Sequence, residues 1–138
     1  MSISKLLVDS VIFFSLINIQ DANHQKSRYL NNKFIKQGVR FLAINLVIFE
    51  TATVLSHKIS QQIAINYLKN ITSGKMEIIR LDEEVEKAAF NIFQLLLRNK
   101  TSYVDCANMA VMKKMGLTTI FSFDKIYKIN NFKRAGID

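Results

Sequence analysis

Lys5-Leu6-Leu7-Val8-Asp9-Ser10 is an apolar run closed by an acid and a hydroxyl. A short unbroken apolar run of this kind reads as a buried strand over Lys5–Val8. Asp9 stands at its carboxyl end, and Ser10 begins a short apolar helix through Ile17. The next segment, Asp21-Ala22-Asn23, opens a more polar helix to about Gln37, with Gly38 as its C-cap. A strand over Val39–Ile44 follows, and Asn45 is the expected cap of a helix from Leu46 to about His57. Ser60 opens a helix over 61–71, Gly74 ends it, and Met76–Leu81 is a strand. Asp82-Glu83-Glu84 loads the first turn of a long helix to about Arg98, which suits the helix dipole. Ser102 opens a helix to Met115, Gly116 stops it, and Leu117–Phe121 is a strand. Residues 124–130 form a short helix. Strands alternating with helices predict an α/β domain with a mainly parallel sheet.

Four acids stand out against this frame: Asp9, Glu50, Asp105 and Asp124. Asp9 and Asp124 follow strands, where open parallel sheets bind ligands. Glu50 lies in Leu46-Val47-Ile48-Phe49-Glu50-Thr51-Ala52-Thr53-Val54-Leu55, and its helical neighbours make the buried face, so its carboxylate is expected to point inward. Asp105 lies in the first turn of its helix beside Ser102 and Asn108. Ionised acids avoid apolar surroundings unless something offsets their desolvation. Each has a structural reading: a helix N-cap for Asp9 or Asp124, a first-turn dipole residue for Asp105, a buried lysine partner for Glu50. Four together point to a shared divalent cation, and an oxygen-only donor set favours Mg2+ or Mn2+ over zinc.

The 138 residues make one domain, 1–138, large enough for a real core. No apolar stretch is long enough to span a membrane. Asp9 and the polar Asn18-Ile19-Gln20-Asp21 argue against a signal peptide. The single cysteine, Cys106, permits no internal disulfide and fits a reducing, cytoplasmic setting. The chain carries a net charge of +8. Its ends hold that excess; residues 70–97 run the other way, with Glu77, Asp82, Glu83, Glu84 and Glu86 against Lys75, Arg80 and Lys87. A basic shell around an acidic centre suits a polyanion held by its phosphates, though a solubility charge accounts for it equally well.

In their order, Leu6-Leu7-Val8-Asp9-Ser10, Asp21-Ala22-Asn23-His24-Gln25-Lys26-Ser27, Asn45-Leu46-Val47-Ile48-Phe49-Glu50, Thr101-Ser102-Tyr103-Val104-Asp105-Cys106-Ala107 and Ile120-Phe121-Ser122-Phe123-Asp124-Lys125 resemble the PIN domain. This is a metal-dependent nuclease fold, and the match is to its small VapC-like toxins. The resemblance covers nearly the whole chain and implies a three-layer α/β/α domain. It implies an acidic quartet at Asp9, Glu50, Asp105 and Asp124, with Ser102 and Ser122 at hydroxyl positions. Ile126 departs from the pattern, which often has an acid there, and Tyr127 stands where Phe is usual. The tail after Asn131 predicts a reduced fifth strand.

The resemblance further implies RNA phosphodiester hydrolysis with Mg2+ or Mn2+, a homodimer, and an antitoxin partner. Asp9 and Asp105 are the expected main ligands and Asp124 completes the cluster. Glu50 is a ligand or an outer base. Ser102, Asn108 and Ser122 are candidates to hold the ligands, or merely cap and satisfy backbone groups. Lys125 is a candidate phosphate contact or a solvated surface lysine. Cys106 is no nucleophile, because the Asp105 carboxylate raises its thiol pKa. His24 and His57 lack metal-ligand spacing, and Met109, Met112 and Met115 read as core. Phe13, Phe14, Ile17 and Ile19 exceed what one helix face needs, which favours a partner interface over burial on both sides. The absence of a Gly-rich phosphate loop and of an Asp-x-Asp motif argues against NTPases and aspartyl phosphatases. Two rivals remain: a PIN-like module that binds RNA or a partner without cutting, and a phosphohydrolase of small substrates.

Overall fold

The computed structural model describes residues 3–96 and 101–138. Twelve elements follow in order: β1 (Lys5–Val8), α1 (Ser10–Ile17), α2 (His24–Lys36), β2 (Arg40–Ile44), α3 (Asn45–Lys58), α4 (Gln61–Ser73), β3 (Glu77–Ile79), α5 (Glu83–Leu95), α6 (Tyr103–Met115), β4 (Thr119–Phe121), α7 (Lys125–Ile129) and β5 (Lys133–Arg134). The strands pair in the order β3-β2-β1-β4-β5, and every pairing is parallel. Right-handed crossovers then put α1–α4 on one face and α5–α6 on the other. The packing agrees: α1 touches α2 and α3, α3 touches α4, and α5 lies along α6. The result is the three-layer α/β/α domain.

The chain leaves β1 toward β2 and leaves β4 toward β5, so the crossover direction reverses between β1 and β4. A crevice opens at such a switch point, beyond the carboxyl ends of the strands. Asp9 follows β1 there, and its N–H donates to the Phe121 carbonyl at 3.0 Å. The sheet is anchored by Leu6, Leu7, Leu42, Ala43, Ile44 and Ile120, all fully buried. Phe34 meets Phe121 edge-on at 5.1 Å and holds α2 against β4.

Local chemistry sets most boundaries. Ser60 accepts from the Ile63 N–H, and Asp82 from the Val85 N–H, so each starts its helix. Ser102 and Asp105 form a reciprocal capping box, and Gly116 ends α6 in the left-handed region at φ 69°. Several expectations are corrected. The strands at Val39 and Leu117 start later than expected, because those amides are tied back to Phe34 and Met112 of the preceding helices. The second helix starts at His24 rather than Asp21, whose side chain accepts from the Asn23 N–H in a turn. Asn45 does not cap α3; it is the first helical residue, and its side-chain oxygen accepts from the Leu81 N–H. Met109 and Met112 are buried, but Met115 at the helix end is exposed. The helix end expected near Arg98 lies outside the described residues. The apolar surplus on α1 is partly used within the chain: Phe13 is buried against the Tyr67 ring, while Ile19 stays exposed.

Candidate active site

Asp9 is the centre of the site. It is 2% exposed although it carries an ionisable carboxyl. Its Oδ1 accepts from the Ser10 N–H at 2.9 Å and from Asn108 Nδ2 at 3.1 Å. Its Oδ2 accepts from the Ser122 hydroxyl at 2.8 Å. Each of these partners comes from a different element, so α1, α6 and the β4 exit all converge on one carboxyl. No Lys, Arg or His pairs with it among the described residues. Burial therefore dominates and raises its pKa from the ordinary 3.8 to about 7; the Ser122 bond opposes this, and the charge of Asp105 adds to it.

Asp105 is the second member. The same capping box that starts α6 orients it: its Oδ2 accepts from the Ser102 N–H at 3.2 Å. Its Oδ1 accepts a long 3.3 Å bond from the Tyr127 hydroxyl. That hydroxyl in turn accepts from Asn108 Nδ2 at 3.0 Å, so Asn108 and Tyr127 bridge Asp9 to Asp105. Burial raises the Asp105 pKa, and the nearby Asp124 charge adds to the rise. Tyr127, fully buried, has its pKa pushed well above 10.0 by burial and by the Asp9 and Asp105 charges, so it stays a neutral donor. Burial and then Asp105 raise the Cys106 thiol pKa, which agrees with its exclusion as a nucleophile.

Asp124 and Glu50 lie further out. The Asp124 Oδ1 caps α7 through the Ile126 N–H at 3.0 Å, and its own N–H donates to Ser122 Oγ at 3.1 Å. Glu50 is half-buried rather than in the core, and it shares with Asp124 an open cleft of about 480 Å3. Asp124 thus belongs both to the cleft and to the electrostatic neighbourhood of Asp105, while Glu50 bonds to none of the other three acids. Lys125 is exposed at the start of α7. Among the described residues no three His, Cys, Asp or Glu side chains stand close enough to hold one ion. Three cleft features lie outside the expected site residues: Asp21, Lys58 and the rings of Phe14 and Phe123. Asp21 could have been found as the first acid past the apolar helix that Asp9 begins.

The donor chemistry fits a hard divalent cation. All the candidate ligands are oxygens, Asp9 is buried beside a like charge, and the Asn108 Oδ1 is buried with no hydrogen-bond partner among the described residues. The PIN domain family model matches residues 6–133, a span that runs from β1 to β5 and contains all four acids. The chain belongs to the PIN-domain family. It is 28% identical over 131 residues to a VapC ribonuclease of Archaeoglobus fulgidus, covering 93% of this chain and 82% of that protein. Its fold matches the crystal structure of Mycobacterium tuberculosis VapC20, a Sarcin-Ricin loop cleaving toxin, with TM-score 0.83 at 22% identity over 92% of this chain and 95% of that one. A looser match, TM-score 0.68 at 14% identity over 97% and 99%, is to VapBC2 of Rickettsia felis bound to a promoter DNA fragment. The PIN fold accounts for the all-parallel sheet.

Proposed function

We propose that this chain is a divalent-metal-dependent endoribonuclease and the toxin of a toxin–antitoxin pair. The observation that carries the reading is Asp9: a carboxyl 2% exposed, unpaired with any cation among the described residues, set beside Asp105 at the switch point of a PIN-domain sheet. A fold keeps such a costly group when a cation balances it. Asp9 and Asp105 would hold Mg2+ or Mn2+, with Asp124 completing the set and Glu50 either joining it or taking the proton of the attacking water. When bound, the ion supplies Lewis-acid stabilisation of charge on the scissile phosphate. Ser122 and Asn108 fix the Asp9 carboxyl, Ser102 fixes Asp105, and Tyr127 links Asp105 to Asn108. Lys125, exposed and next in the chain to the cleft residue Asp124, is the candidate phosphate contact.

The VapBC2 complex of Rickettsia felis supports an antitoxin as partner. The exposed Phe90, Phe93 and Leu95 along α5 support a protein interface, with a second copy of the chain or the antitoxin against it. No helix among the described residues is long and apolar enough to cross a membrane.

One observation favours the rival, a PIN module that binds RNA without cutting it. Asp9 and Asp124 each cap a helix, Asp105 completes the capping box of α6, and no three acids lie within reach of one ion among the described residues. Incubation of the purified chain with total RNA separates the two. Cleavage in Mg2+ or Mn2+ that stops in EDTA and in Asp105→Asn supports the nuclease; RNA binding with no cleavage in either metal supports the module.

A further inference from the structure

The cleft beside the acids is walled by two aromatic rings, each with a lysine over it. Phe14 comes from α1 and carries Lys58 Nζ at 5.5 Å from its centroid; Phe123 follows β4 and carries Lys26 Nζ at 5.7 Å. Both rings are half-buried, and both lysines are exposed. None of the four takes part in the hydrogen bonds that hold Asp9 and Asp105. Phe14, Phe123 and Lys58 line the same cleft as Glu50 and Asp124.

We infer that Phe14 and Phe123 form a base-stacking subsite that admits one unpaired nucleotide of the RNA next to the acids, with Lys58 and Lys26 taking its flanking phosphates. The inference rests on the ribonuclease reading and deepens it. A ring face attracts both cations and bases, and base–aromatic stacking tolerates any base because every base has a π-face. A base inside a duplex has both faces covered by its neighbours, so only a looped or single-stranded base can lie on Phe14 or Phe123. An arriving base displaces the ammonium group from the ring. The lysine stem is long enough to swing to the phosphate of the same nucleotide, where its charge is needed. The volume of about 480 Å3 lies in the range of pockets for small ligands, matching a nucleotide and not a helix. The subsite also answers a problem of charge. Glu50, Asp124 and Asp21 line this cleft and repel a phosphate, while an uncharged base on one of its rings is free of that repulsion.

The test uses the full chain in EDTA and an RNA hairpin pool with randomised loops. One version carries 2-aminopurine in the loop and the other carries it in the stem. Binding is expected to quench the loop probe and leave the stem probe unchanged. Phe14→Leu and Phe123→Leu keep apolar bulk and lose the ring; each is expected to remove the quench and weaken binding about tenfold. Phe14→Tyr keeps a ring and is expected to retain both. Lys58→Gln is expected to keep the quench and lower the slope of log affinity against log salt by about 0.7. Equal quench and affinity in native chain and Leu variants of matched melting temperature overturn the subsite, as does equal quench of loop and stem probes. Should a Leu variant not fold, an unchanged salt slope in Lys58→Gln together with loss of the quench in Phe14→Tyr overturns it. Metal-dependent cleavage by a native chain whose loop probe is not quenched would remove the subsite and leave the nuclease standing; absence of both cleavage and binding removes both.

Discussion

Replacing Asp9 by asparagine should stabilise the metal-free protein at neutral and alkaline pH. Burial lifts this carboxyl from 3.8 to about 7, roughly three units. Each unit is worth about 1.4 kcal/mol, so ionising Asp9 in the fold costs on the order of 4 kcal/mol. Because the folded pKa is raised, the protonated form stabilises the fold fully below pH 3.8, and that contribution is lost as pH rises through 7. The amide of the Asp9→Asn variant reproduces the shape and can still accept from the Ser10 N–H and Asn108 Nδ2. It cannot accept from the Ser122 hydroxyl, which costs about 1 kcal/mol. The balance at about pH 8 is roughly 3 kcal/mol in favour of the variant, or about 10 °C in melting temperature for a domain of this size. Near pH 4 the advantage should vanish or reverse slightly. The assay is thermal melting by circular dichroism in EDTA across that range. A variant that melts below the native chain at pH 8, or a difference that does not shrink on acidification, refutes the reasoning that Asp9 is a buried charge without a counter-charge.

Asp105→Asn should abolish Mg2+-dependent RNA cleavage while its EDTA melting temperature stays level or rises, because one of two neighbouring charges is gone and the capping geometry survives; a drop of several degrees with cleavage retained would make Asp105 structural. Mg2+ should raise the melting temperature of the native chain and raise it less in that variant, since a ligand stabilises only the state that binds it. Tyr67→Phe removes a buried 3.2 Å bond to the Ile48 carbonyl and should cost about 1 kcal/mol in urea unfolding, with no change in metal response. RNA affinity should fall steeply between low and physiological salt, and a flat dependence in a filter-binding assay would remove the basic phosphate track.

Features written in a few adjacent residues were legible in the sequence. Val8-Asp9-Ser10 announces a strand end and a helix cap at once, and Ser102 with Asp105 announces α6, because capping acts within one turn. The alternation of elements was enough for the α/β class, since parallel strands need crossover helices. Contacts between distant segments were not legible. Asn45 looks like a cap in isolation, yet Leu81 arrives from β3 to claim its oxygen. In the sequence Tyr127 is only a Tyr where Phe is usual, and its hydroxyl acquires meaning once α7 brings it to Asn108 and Asp105. The two-residue β5 is too short for periodicity to reveal, and only the family resemblance points to a reduced strand there. In the site, the inward turn of Glu50 was overstated, because helical spacing gives the face but not which part of that face a cleft leaves open.

The central claim is that Asp9 and Asp105 form the seat of a divalent cation. Titration of the metal-free chain with Mn2+, following the free-ion signal by electron paramagnetic resonance, tests it most directly and needs no substrate. Saturable binding that Mg2+ competes away is expected, weakened at least about tenfold in both Asp9→Asn and Asp105→Asn although both variants remain folded. A native chain that leaves the free Mn2+ signal unchanged into the millimolar range, or variants that bind as the native chain does, would contradict it.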